Sequence, residues 1–242
     1  MSLLDKIKTQ IQSLINTANE NTGNTDATLT AAVESLIDGY GGGGNDYLKY
    51  VTNVQFSNMN LFGKEDVELE FDALTGLAST FQAKTKNVTV KHLTLTVKQP
   101  ITNMNATFYA TPPNYDETLK RITLNADTSQ ATYFSTTFSQ LLALEIIDGT
   151  PLDLSSANSN SSSQFNTCKA LKEVRFVKNS VKTSLNFINS SLLSVESIQS
   201  IIDGLADLTG LETQTLTLHA DVKTKLTEEQ ISQITYKNWT LA

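Results

Sequence analysis

One pattern recurs along this chain. An apolar residue is followed by two variable ones, a second apolar residue, one variable residue and a third apolar residue. It reads as Val51-Thr-Asn-Val54-Gln-Phe56 and again as Val90-Lys-His-Leu93-Thr-Leu95. Further copies are Leu119-Lys-Arg-Ile122-Thr-Leu124, Leu141-Leu-Ala-Leu144-Glu-Ile146 and Leu171-Lys-Glu-Val174-Arg-Phe176. Thr213-Gln-Thr-Leu216-Thr-Leu218 and Tyr236-Lys-Asn-Trp239-Thr-Leu241 fit with small departures, and Leu69 with Phe71 and Leu185 with Phe187 are shorter versions. The last apolar pair alternates, as in a strand with one buried face. Among the five full copies the middle apolar positions lie roughly 22 to 40 residues apart, the range of stacked repeats. A unit of that size cannot bury its apolar edge alone. Stacking therefore predicts parallel strands over one continuous core.

The rest of the composition suits such a scaffold and excludes other classes. The chain has 242 residues, of which 18% are charged. Ser, Thr and Asn make up about 31% of it, well above ordinary usage. A net charge of -7 excludes the basic footprint that nucleic-acid binding needs. One cysteine excludes a disulfide framework. Two histidines, His92 and His219, leave little for a metal site or a catalytic triad. No cofactor is expected. No apolar run approaches the ~18 residues of a membrane span, so no membrane insertion is expected. The N-terminus carries charges within its apolar pattern and does not read as a signal peptide.

Before the repeats, residues 1–40 read as a helical module. Leu4, Ile7, Ile11, Leu14 and Ala18 fall on one narrow stripe, as in a coiled-coil seam. About two heptads are marginal alone, so the stripe predicts self-association, as a homotrimer. A second helix carries Leu29, Ala32, Val33, Leu36 and Ile37 and stops at Gly39. Residues 41–46 contain four consecutive glycines and read as a flexible linker. Residues 47–242 hold the repeats and end in a helical cap. In that cap Ser194 heads a helix with Ile198, Ile201, Ile202, Leu205 and Leu208 on its apolar face. Thr227-Glu-Glu-Gln230 forms a capping box, with Leu226 and Ile231 as its hydrophobic staple.

Two resemblances sharpen this reading. Phe165-Asn-Thr-Cys168-Lys-Ala-Leu171-Lys-Glu-Val174-Arg-Phe176 resembles the unit of the BspA-like leucine-rich repeat family. Phe138-Ser-Gln-Leu141-Leu-Ala-Leu144-Glu-Ile146 is a looser copy. That resemblance implies an α/β fold: an irregular leucine-rich-repeat solenoid with a parallel β-sheet, preceded here by the α-helical, coiled-coil-like module. It implies adhesion rather than enzymology, and a buried, non-nucleophilic Cys168. Asn24-Thr25-Asp26-Ala27-Thr28-Leu29-Thr30, running on to Leu36-Ile37-Asp38-Gly39-Tyr40-Gly41, is similar to a short module of tailed-bacteriophage structural proteins. It implies a virion appendage, attached through its N-terminal helices to other virion proteins.

In such a solenoid the variable strand positions face solvent. They are Asn53, Gln55, Glu68, Glu70, His92, Thr94, Arg121, Thr123, Glu145, Glu173, Arg175, Thr215 and Thr217. This array has no dominant sign, which suits a host-surface glycan or protein better than a phosphate backbone. No catalytic residue is assigned. Glu68 and Glu70 share one face of a strand, the arrangement a depolymerase would use, but a solvated strand face explains them as well. The expected function is a non-enzymatic tail or baseplate fibre component that binds the host surface. The alternatives are a head or neck decoration protein without a receptor role and a bacterial leucine-rich-repeat surface protein.

Overall fold

The computed structural model describes residues 65–80, 90–109, 117–161 and 163–242. The elements run β1 (Asp66–Phe71), β2 (His92–Val97), β3 (Arg121–Ala126), β4 (Ile146–Gly149), β5 (Leu185–Phe187), α1 (Val195–Gly204), β6 (Gln214–Leu218), α2 (Ala220–Lys223), α3 (Glu228–Tyr236) and β7 (Trp239–Leu241). Strands β1 to β4 form one parallel sheet in sequence order, and β5, β6 and β7 form a second.

Alternation builds the first sheet. In β1, β2 and β3 every second residue is buried. The parallel register aligns those residues into rows: Val67, Leu93, Ile122 and Ile147 in one, Leu69, Leu95 and Leu124 in the next. Each is at most 4% exposed. A phenylalanine stack continues the core behind the sheet. The rings of Phe108, Phe138, Phe165 and Phe187 stack in succession, with centroids 5.3, 5.5 and 4.5 Å apart. Offset stacking of this kind adds to the area each ring removes from water.

Connections between levels are tight and unusual. Ser79, Ala106, Thr136 and Ser163 all have positive φ, between 50° and 57°. Such backbone normally favours glycine, and Thr136 is β-branched. The ladder bonds around them, Ser79 N–H to Asn105 O and Ala106 N–H to Ser135 O, hold these corners at successive levels. At the end of β4, Gly149 adopts φ +92°, and a Cβ there would lie 2.5 Å from Leu124 O. Only glycine fits.

The expected α/β fold, an irregular leucine-rich-repeat solenoid with a parallel β-sheet, is corrected by this architecture. The fold is mixed, with two small parallel sheets and three short helices among the described residues. The break lies at Leu171–Phe176, the copy that best matches the repeat pattern. Its apolar positions Leu171, Val174 and Phe176 are buried, but the segment makes only isolated bridges, Ile146 to Glu173 and Leu152 to Phe176. Its far edge meets α1 instead of a strand. Val174 N–H donates to Ser197 Oγ at 3.1 Å, and the Ser197 hydroxyl donates to Val174 O at 3.1 Å. Phe176 N–H donates to Ser200 Oγ at 3.0 Å. Two helical serines thus satisfy backbone groups that a further strand would have taken. The α-helical module expected over residues 1–40, with Leu4, Ile7, Ile11, Leu14 and Ala18, lies outside the described residues. So do the linker 41–46 and the copy at 51–56.

The C-terminal part is held by caps. Ser194 Oγ accepts from Ser197 N–H at the start of α1, and both arms of the Thr227–Gln230 capping box form at the start of α3. Lys237 Nζ donates to Ile202 O at 3.1 Å and Leu205 O at 2.6 Å, closing the C-terminal end of α1. Burial lowers the Lys237 pKa below the usual lysine value. Trp239 is 3% exposed and its indole N–H donates to Ala206 O at 2.9 Å, so it is a core residue.

Candidate functional site: the polar face of the first sheet

The same alternation that buries one side of β1 to β3 turns the other side to solvent. Parallel register then aligns the outward residues in rows. Glu68, Thr94, Thr123 and Asp148 form one; Asp66, His92, Arg121 and Ile146 form a second; Glu70, Thr96 and Asn125 form a third. Of the residues expected on this face, Glu68, Glu70, His92, Thr94, Arg121 and Thr123 are thus brought together.

The others fall elsewhere. The repeat pattern places Glu145 at a variable strand position, with Ile146 inward. The register puts Ile147 opposite Ile122, so Ile147 is buried and Ile146 faces outward. Glu145 precedes the strand, where its N–H donates to Lys120 O and its carboxylate meets Lys172 Nζ at 2.6 Å. Glu173 extends the second row only through its single bridge to Ile146. Arg175 is exposed on the interrupted segment. Thr215 and Thr217 belong to the second sheet, opposite Thr240 and Asn186. Asn53 and Gln55 lie outside the described residues.

Four polar members of the face lie outside the expected set: Asp66, Thr96, Asn125 and Asp148. The first three sit one alternation step beyond the apolar motif, and extending the period of two would have reached them. Asp148 was hidden by the shifted frame of β4.

Neighbouring levels pair their charges. Lys91 Nζ lies 2.6 Å from Glu65 and Lys98 Nζ 2.6 Å from Glu70, and His92 Nδ1 is hydrogen-bonded to Asp66 Oδ1 at 2.6 Å. The hydrogen bond and charge of Glu70 raise the Lys98 pKa. Those of Lys172 lower the Glu145 pKa. At the centre, Arg121 pairs with Asp148, whose other oxygen accepts from the Thr123 hydroxyl at 2.7 Å. Burial opposes ionisation of Asp148. The bonds from Arg121 and Thr123, with the charges of Arg121 and Arg175, outweigh it and hold the carboxyl below the usual carboxylate range. Exposed pairs such as these add little stability, but they fix where charge sits on the face. Thr94, Thr96, Thr123 and Asn125 form a neutral patch among them.

The remaining candidates for chemistry do not converge on this face. Among the described residues, no group of three or more His, Cys, Asp and Glu side chains is placed to hold a metal ion. Cys168 is fully buried, its thiol donates to Phe138 O at 2.9 Å, and burial pushes its pKa up to about 12. A thiol in that state is not a nucleophile. No family model, curated protein or solved structure matches this chain. What the face can do is hydrogen-bond. It presents hydroxyl, amide and paired ionic groups on a rigid strand scaffold.

Proposed function

We propose that this chain is a non-enzymatic structural component of a tailed-bacteriophage virion, of tail-fibre or baseplate type. Its first sheet presents a polar face to the host surface. The phage-like residues 24–41 support the setting. The observation that carries the binding role is the register of β1 to β3, which lines up Thr94, Thr96, Thr123 and Asn125 between the Lys98–Glu70 and Arg121–Asp148 ion pairs. Neutral hydroxyl and amide groups flanked by these pairs suit recognition of a glycan or protein epitope through hydrogen bonds. The N-terminal stripe from Leu4 to Ala18 would supply attachment and trimerisation, and many weak copies would gain avidity from effective concentration.

Binding of the labelled full chain to intact host cells tests the role. The expected result is saturable binding that Thr94→Arg and Thr123→Arg weaken. Absence of saturable binding to any host in the phage's range refutes it and leaves a pure decoration role. Light scattering of the full chain and of residues 46–242 tests the anchor. A monomer in both refutes self-association through the stripe.

A further inference from the structure

A groove of about 480 Å³ crosses the C-terminal ends of β2, β3 and β4. Its walls come from four consecutive levels of the chain: Thr96 to Lys98, Asn125 to Thr128, Thr150 to Asp153, and Val177. At the spacing of neighbouring strands, four levels span roughly 14 Å.

Three properties define what it accepts. The first is hydrogen-bonding capacity held in place. Asp127 Oδ1 accepts from Ser129 N–H at 2.9 Å, and Asp153 Oδ1 accepts from Ser155 N–H at 2.8 Å. Each cap orients its carboxylate, and a carboxylate has about four acceptor sites, more than a cap consumes. Asn125 Nδ2 donates to Thr96 Oγ1 at 3.3 Å, which leaves its second amide hydrogen available. The second property is a small apolar wall, in which Pro151 and the 37%-exposed Val177 offer aliphatic surface. The third is charge. Lys98 is the cation of the lining, and Glu70 and Asp72 engage it at 2.6 and 3.5 Å. An acidic ligand would meet two carboxylates with no free cation to offset them.

We propose that this groove binds a short neutral oligosaccharide, with sugar hydroxyls on Asn125, Asp127 and Asp153 and a pyranose C–H face on Pro151 and Val177. The inference rests on the host-surface reading and gives it a site and a ligand class. A uronic or sialic acid is excluded by the same carboxylates that hold the hydroxyls.

The test uses the full chain and four probes: the trisaccharides of glucose, galactose and N-acetylglucosamine, and trigalacturonic acid as the acidic comparison. Saturation-transfer NMR and backbone amide shifts are recorded at millimolar sugar. At least one neutral trisaccharide is expected to move the amides of Asn125, Asp127, Thr150 and Asp153, while the acid does not. In the Asp127→Asn, Asp153→Asn double variant the amide oxygens still cap Ser129 and Ser155, so folding is retained. Loss of the charged acceptors is expected to weaken binding about tenfold. Val177→Asp, an exposed site, is expected to weaken it independently. The proposal is overturned if no neutral probe moves those amides, if the acid binds equally well, or if both variants bind like the wild type. Cell binding separates the two claims. Host binding that survives the double variant, with sugar binding lost, refutes the groove's part in host binding and leaves the host-surface role standing. Sugar binding without host binding refutes the host-surface role alone.

Discussion

Ser197→Ala isolates the contact that ends the first sheet. The hydroxyl is buried and serves both backbone groups of Val174, accepting from its N–H and donating to its C=O, each at 3.1 Å. Alanine removes both partners at a buried position. A buried backbone group without a partner costs about 1–3 kcal/mol, and alanine returns roughly 0.5 kcal/mol in helix propensity. The expected loss is therefore about 3 kcal/mol. The Ser194 cap of α1 is untouched, because Ser197 enters it through its backbone N–H. Ser200→Ala removes one accepting bond, from Phe176 N–H, and is expected to cost about 1 kcal/mol. The exposed Ser156→Ala serves as a control near zero. Urea titration followed by the fluorescence of Trp239, the one tryptophan of the chain, gives all three values. At an m-value of about 2–3 kcal/mol/M, the Ser197 variant moves the midpoint by about 1 M. A loss below about 0.5 kcal/mol, or one no larger than that of Ser200→Ala, would refute the argument that the hydroxyl stands in for a strand.

Other consequences follow from single contacts. Gly149→Ala places a methyl 2.5 Å from Leu124 O at a φ of +92°, so it is expected to cost about 2–4 kcal/mol; a melting temperature equal to wild type contradicts the register of β3 and β4. Cys168, buried and pushed up to about 12, is expected to react with a disulfide reagent only at the rate of unfolding, and prompt labelling in native buffer would show the packing to be wrong. Asp148 is held below its unfolded value. Its contribution is present above about pH 4 and is lost as pH falls through the lower folded value. Asp148→Asn is thus expected to be less stable than wild type near neutrality and to converge with it on acidification. A gap that does not narrow at all as pH falls counts against the Arg121 and Thr123 contacts.

The proposed host-surface role and the groove rest on different features of one sheet. The face depends on residues one strand apart in register. The groove depends on the loops that leave the strands. Both use rigid backbone to place short polar side chains, which costs less side-chain entropy than recruiting long ones.

Local chemistry was legible in the sequence by itself. The alternation of Leu93 with Leu95 and of Ile122 with Leu124 dictates which face is buried, because successive side chains on a strand point to opposite sides. The Thr227–Gln230 capping box and the Ser194 cap depend on residues three apart, and they form where the sequence places them. Burial of Cys168 and Trp239 follows from their places in the apolar pattern. Only the tertiary structure decided what each strand lies beside. Val174 and Phe176 carry the same apolar signal as Leu93 and Leu95, yet their neighbour is α1 rather than a strand, since two serine hydroxyls can satisfy the same backbone groups. In β4 the choice between Ile146 and Ile147 is degenerate in the sequence, and pairing with Arg121 and Ile122 resolves it. That one-residue shift turns Asp148 onto the polar face, beside Arg121 and Thr123, and removes Glu145 from it. A period of two determines the alternation of faces, and its phase is set by the hydrogen bonds to the next strand.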